Sequence, residues 1–205
     1  MTNYNVGAII TCAGLSTRME ENKALLNWNG LPLLEQQILL LSDSGIQYIV
    51  VVLGHEIEKL QFIFNKYPNL NIVTNKEYII GRSSSIKIGL SAIANYVDNV
   101  LILGVDQPRP LYTIELLLND HLNSNSLITY PTYNNKGGHP IIFNKETFVD
   151  IKSISEESNG LRFVINKYNK ILNKIEINDP RVILDLNTKS NYLEALKLFN
   201  LPDSL

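Results

Sequence analysis

VGAIITCAGLSTR, residues 6–18, is the stretch from which the fold can be read. VGAIIT (6–11) is apolar without polar alternation, the pattern of a strand buried on both faces of a parallel sheet. A small-residue turn follows at once. Similar runs recur at YIVVVL (48–53) and NVLILG (99–104), and further short strands are expected at NIVT (71–74), SLITY (126–130), PIIF (140–143) and KIEI (174–177). Helical spacing fills the gaps. PLLEQQILLLSDSG (32–45) ends on a glycine, SSSIKIGLSAIANYV (83–97) opens on a serine cluster suited to an N-cap, and LYTIELLLNDHL (111–122) begins after Pro110. GLRFVINKYN (160–169) and KSNYLEALKLFN (189–200) supply two more helices. Strands alternating with helices predict an α/β fold: a three-layer αβα sandwich around a mostly parallel, Rossmann-like sheet, with residues 1–205 forming one domain. In such folds ligands lie beyond the carboxyl ends of the strands. That rule directs attention to the segments after Thr11, Thr74 and Gly104, and to the neighbourhood of Leu184.

Composition narrows the function. Of 205 residues, 45% are hydrophobic and 19% charged, with a formal net charge of −2, so a sizeable core is expected and a general nucleic-acid binder is disfavoured. The one cysteine, Cys12, has no internal disulfide partner and fits a reducing compartment. No apolar run approaches the ~18 residues of a membrane span, and the first residues lack the basic start of a secretory signal. A cytoplasmic chain without membrane or nucleic-acid partners is the expectation.

Three places carry candidate chemistry. In the opening loop Gly14 permits close backbone approach, successive amides can face one anion, and Arg18 and Lys23 follow with a guanidinium fork and a point charge. A phosphate cradle and an ordinary strand-to-helix corner are both compatible with that spacing. The loop matches neither the dinucleotide fingerprint nor the P-loop pattern. In NVLILGVDQPRP, Asp106 stands just past an apolar strand, where a carboxylate can ligate Mg2+ bridging nucleotide phosphates or can simply cap a turn. In DPRVILDLNTKSNY, Asp185 and Asn187 are two apart and would face one side of an extended segment. Cys12 reads as packing, and His55 and His121 as structural or surface groups.

Taken together these stretches resemble the molybdenum cofactor cytidylyltransferases and their relatives, nucleotidyltransferases with a glycosyltransferase-A-like α/β domain. The family's opening motif is similar to Cys12-Ala13-Gly14-Leu15-Ser16-Thr17-Arg18-Met19-Glu20 followed by Lys23, and GLPLLEQQI (30–38) continues it. GRSSSIKIGL (81–90), LGVDQP (103–108), GGHPIIF (137–143) and LDLNT (184–188) follow in the family's order. Glu20 replaces a glycine of the family pattern, and Asn187 an aspartate.

The resemblance implies an enzyme that moves CMP from CTP to a phosphorylated acceptor, molybdopterin above all, and releases pyrophosphate. It implies that Ala13, Gly14, Leu15, Ser16, Arg18, Lys23, Arg82 and Ser85 bind the nucleotide, Ala13 facing the base. Arg18, Lys23 and Asp106 would act in catalysis, and Asp106 with Asp185 would hold Mg2+. His139 and Asn187 would meet the acceptor, although His139 equally suits the filling of a turn. An apo molybdenum hydroxylase is the macromolecular partner implied. Three other readings share these motifs: a sugar- or polyol-phosphate nucleotidylyltransferase, a guanylyltransferase of the same cofactor, and a non-catalytic maturation factor. Alanine at position 13 separates the cytidylyl from the guanylyl branch, which has glycine there.

Overall fold

The structure is a computed structural model that describes residues 5–15, 19 and 21–202. Ser16, Arg18 and Glu20 lie outside the described residues. The chain opens with β1 (Val6–Cys12), then a small antiparallel hairpin of β2 (Asn27–Trp28) and β3 (Leu31–Pro32), and α1 (Leu33–Asp43). β4 (Tyr48–Leu53), α2 (Gln61–Phe64), β5 (Asn71–Thr74), α3 (Arg82–Ile93), β6 (Asn99–Gly104) and α4 (Leu111–Asn123) follow. The last third holds β7 (Ile128–Tyr133), β8 (Lys136–Gly137), β9 (Ile141–Asn144), α5 (Phe148–Ser153), α6 (Leu161–Lys167), β10 (Leu172–Glu176) and α7 (Lys189–Leu198).

The main sheet runs β10-β7-β9-β6-β1-β4-β5, with β8 on the flank of β7. β1 lies parallel to β4 and β6, with Ile9 opposite Val50 and Ile102. All seven residues of β1 and all six of β6 are buried, as their unbroken apolar runs require. β9 runs antiparallel between β6 and β7, so the sheet is mixed at that end. Each of the seven expected strands is present within about three residues of its predicted limits. The hairpin, β8, α2 and α5 are additions: the β strands are two residues long, too short to show alternation.

Residues alternating along β1 supply both faces of the sheet. Ala8 and Ile10 pack beneath α1 and α4 with Leu34, Ile38, Ile114 and Leu117. Ile9 packs on the other face beneath α3, α5 and α6 with Ile86, Leu90, Ile151 and Val164. Gly89 sets how closely α3 approaches, since a Cβ there would lie 2.6 Å from Ile9 Cγ2 and 2.9 Å from Val52 Cγ2. A third cluster joins Met19, Leu26, Trp28 and Leu33 to Leu186, Tyr192 and Leu196, so α7 clasps the hairpin. Trp28 meets Phe199 edge-on with ring centroids 5.0 Å apart. This clasp brings the segment around residues 184–187 back to the start of the chain. Among the described residues, no helix is long and apolar enough to cross a membrane.

Candidate functional site

The chain turns from one side of the sheet to the other at β1, which has β6 on one side and β4 on the other. The crevice beyond the carboxyl ends of these strands is where a doubly wound sheet accepts a ligand. It holds a cavity of about 250 Å3 lined by Ala13, Gly14, Lys23, Arg82, Ser85 and Asp106 among others. These six stand on four segments, from the opening loop to the end of β6, and the fold brings them together.

Lys23 opens a 3-10 turn capped by Asn22, whose side chain accepts from Ala24 N at 3.0 Å. Its Nζ lies 2.9 Å from Asp106 Oδ2 and 3.1 Å from Asn187 Oδ1. Asp106 is fixed from behind by its carbonyl, which accepts from Leu186 N at 2.8 Å. One ammonium thus gathers a carboxylate oxygen and an amide oxygen from sites 83 and 164 residues distant in sequence.

The pairing of Asp185 with Asn187 departs from expectation. Asn187 N donates to Asp185 O at 3.0 Å, which closes a three-residue γ-turn over the buried Leu186. The segment is therefore not extended, and the two side chains diverge. Asn187 joins Lys23 and Asp106. Asp185 instead accepts from Gln107 Nε2 at 2.9 Å and lines a second cavity. The structure thus sets Asn187 beside Lys23 and Asp106, and Asp185 in the wall of the second cavity.

That second cavity, of about 630 Å3, lies against the first and shares Arg82 with it. His139, Gly138, Tyr130, Glu156, Arg162 and Asp185 contribute to its walls. Gly138 belongs there because a Cβ would lie 2.1 Å from Val182 O. His139 N donates to that same carbonyl at 3.0 Å. Burial, with the nearby guanidiniums of Arg82, Arg109 and Arg162, pushes the His139 imidazole down to about 3, so the ring is neutral at physiological pH.

Three supporting residues escaped the sequence reading. Buried Asn75 follows β5 and donates to Ser84 Oγ at 2.8 Å and Ser85 Oγ at 3.0 Å, orienting the serine run. Gln107 is 1% exposed and connects three groups: its Oε1 accepts from Gly104 N and Arg82 Nη2, and its Nε2 donates to Asp185 Oδ1. Arg109 is 3% exposed and donates to the carbonyls of Pro108, His139 and Leu184 at 2.7–2.8 Å. Burial lowers its guanidinium to about 10, so it keeps its charge at neutral pH. The strand-end rule pointed to the segment after Thr74, but nothing in the sequence distinguishes Asn75 from the surface asparagines around it. His55, expected at the surface or in a structural role, lines the first cavity. The Cys12 thiol is driven up to about 12 by burial, which fits a packing role and makes it an unreactive thiol.

A model of the MobA-like NTP transferase domain matches residues 8–171. The chain belongs to that family. It is a nucleotidyltransferase, as the paired cavities at the strand ends would serve. It is 25% identical over 195 residues to the molybdenum cofactor cytidylyltransferase of Escherichia coli, covering 93% of this chain and 95% of that one. It is 49% identical to the molybdenum cofactor guanylyltransferase of Xanthomonas euvesicatoria, but over 109 residues, 53% of this chain and 50% of that one. Among solved structures, Rv0371c from Mycobacterium tuberculosis superposes with a TM-score of 0.82 at 18% identity, covering 96% of this chain and 100% of that one. A complex of Rv0371C with manganese superposes at 0.77 with 16% identity, covering 94% and 98%. At these identities the structural likeness concerns the fold, and the MobA-like family inherits it.

Away from the site, His121 gives the nucleotidyltransferase a pH-dependent stability. Its Nε2 lies 3.0 Å from Asn99 Oδ1 and its Nδ1 2.8 Å from Thr129 Oγ1. A carbonyl oxygen only accepts, so Nε2 carries the proton and Nδ1 accepts from the threonine. Burial lowers this ring from 6.5 to about 4. The unfolded chain takes up the proton near 6.5, the folded one only near 4, so between those values the unfolded state binds more protons and stability falls as pH falls. Urea midpoints should drop from pH 7.5 to pH 5.5, and His121→Asn should flatten that slope. An equal slope in the variant would remove His121 as the cause.

Proposed function

We propose that this chain transfers CMP from CTP to a phosphorylated acceptor, most simply molybdopterin, with release of pyrophosphate. The observation that carries the reading is the shared wall: Arg82 lines both the cavity that holds Lys23 and Asp106 and the larger cavity that holds His139 and Asp185. A donor in the first and an acceptor in the second would meet at one guanidinium, which suits the phosphate groups of both. Gly14 and Ala13 stand at the first cavity, with Ala13 and Ser85 read as the base side; a phosphate-binding role for Leu15, Ser16 and Arg18 rests on the sequence motif. His139, neutral, serves the acceptor as a hydrogen-bonding group.

The reaction forms a bond from an acceptor phosphate oxygen to the α-phosphorus of the nucleotide and breaks the bond from that phosphorus to the bridging oxygen, which leaves on pyrophosphate. The attacking oxygen is already ionised at neutral pH, so no general base is needed. What must be overcome is repulsion: two unit charges ~4 Å apart repel by roughly 4 kcal/mol at an effective dielectric near 20. Lys23 and Arg82 offset that repulsion and align the reactants.

A divalent cation suits the oxygens that Lys23 gathers. Asp106 and Asn187 are hard donors that meet at one ammonium, matching Mg2+ or Mn2+ bound by few protein ligands plus phosphates and water. Among the described residues no three His, Cys, Asp or Glu side chains converge, so phosphates would have to complete the shell. Bound there, the ion would supply charge stabilisation to the phosphates. We place Asn187 on the metal side and Asp185 on the acceptor side, following the γ-turn. The manganese complex of Rv0371C is consistent with a divalent ion in this fold.

The two named relatives use different bases by name, so the nucleotide is the point to test. Pyrophosphate release with molybdopterin should be at least tenfold faster with CTP than with GTP at equal concentration. A GTP preference would assign the guanylyl reading, a preference for sugar phosphates as acceptors would assign the sugar-nucleotide one, and no release with any pair would assign a maturation factor.

A further inference from the structure

Lys23 is also the cation already present where the metal would stand. Its Nζ bridges Asp106 Oδ2 at 2.9 Å and Asn187 Oδ1 at 3.1 Å, and its side chain is 13% exposed, so the ammonium is seated rather than loosely held. We propose that Lys23 is an internal counter-ion of the apo protein, which keeps a free divalent cation out until a nucleoside triphosphate draws the ammonium to its phosphates. This inference rests on the nucleotidyltransferase reading and on Asp106 as the metal's carboxylate.

The argument is one of charge. A divalent cation at Asp106 and an ammonium 2.9 Å from the same carboxylate would repel each other strongly in a half-buried site. Removing the ammonium by thermal motion alone would leave Asp106 and the amide oxygen of Asn187 without their charged partner. A triphosphate changes the balance, because it offers Lys23 new oxygens and the metal its remaining ligands. Metal and nucleotide are then expected to strengthen each other's binding, and by linkage each does so by the same factor.

The test is Mn2+ binding followed by electron paramagnetic resonance, with no turnover. Wild-type protein alone should bind Mn2+ weakly, and CTP should tighten that binding at least tenfold. Lys23→Met should bind Mn2+ at least tenfold tighter than wild type without nucleotide, and CTP should then tighten it much less. Asp106→Asn in the Lys23→Met background should abolish the gain. Circular dichroism and a urea melt establish that each variant is folded; should Lys23→Met not fold, Lys23→Gln replaces it. If Lys23→Met leaves metal affinity unchanged while Asp106→Asn still removes it, the counter-ion role is overturned and the metal site stands. If Mn2+ binds no form of the protein, with CTP or without, both are overturned.

Discussion

Asp106→Ala is expected to lower nucleotidyl transfer by at least a thousandfold while the protein stays folded. The carboxylate stands at the mouth of β6, with its carbonyl held by Leu186 N and one of its oxygens shared with Lys23. A thousandfold loss corresponds to about 4 kcal/mol of transition-state stabilisation, a size that charge compensation at two phosphate groups can supply. The stability cost is small by contrast. The Lys23–Asp106 pair is partly open to water, with side-chain exposures of 13% and 26%, and such a pair contributes about 1 kcal/mol or less. The variant should therefore unfold near the wild-type urea midpoint and fail in pyrophosphate release. Undiminished turnover by a folded variant would remove Asp106 from the mechanism.

Arg109→Met should act in the opposite way, with a large loss of stability that carries the second cavity, the one proposed for the acceptor, with it. The guanidinium is buried and donates to the backbone carbonyls of Pro108, His139 and Leu184, which belong to three segments of the site. Methionine fills much of the same space but donates nothing, so those carbonyls lose a charged partner inside the protein. At about 1–3 kcal/mol for each buried group left unsatisfied, the loss is about 3 kcal/mol or more. One guanidinium nitrogen, Nη2, has no hydrogen-bond partner among the described residues. Because His139 and Asp185 both lie next to carbonyls that Arg109 holds, any folded fraction should show a raised KM for the acceptor while nucleotide binding is little changed. Chemical denaturation and steady-state kinetics with each substrate varied would separate these effects. An unchanged urea midpoint would show that the three carbonyls are held by other means.

The positions of the strands were legible because burial on both faces demands unbroken apolar runs, and β1, β4 and β6 carry them. The opening loop, the serine run and Asp106 were legible for a related reason: each follows a strand or begins a helix at the end of the sheet where such folds bind ligands. The Gly-His-Pro segment stood out only through the family resemblance. The weaker elements were not. The hairpin strands Asn27–Trp28 and Leu31–Pro32 are too short to have a period, and they matter because Trp28 packs against the C-terminal helix.

By itself, then, the sequence determined the α/β class, the end of the sheet that serves as the site, and the family whose motifs it bears. Local pattern is enough for these, because hydrophobic periodicity and glycine placement act within a few residues. Tertiary structure alone decided which side chains meet. Asp185 and Asn187 looked like one pair on an extended segment, and a γ-turn over Leu186 sends one toward Gln107 and the other toward Lys23. Gln107, Arg109 and Asn75 gained their roles from partners many residues away, and no local pattern marks a polar side chain as one that will be buried and shared. The physical reason is the same in each case: a buried polar group takes the partner that the packed chain brings to it, and only the fold specifies which one that is.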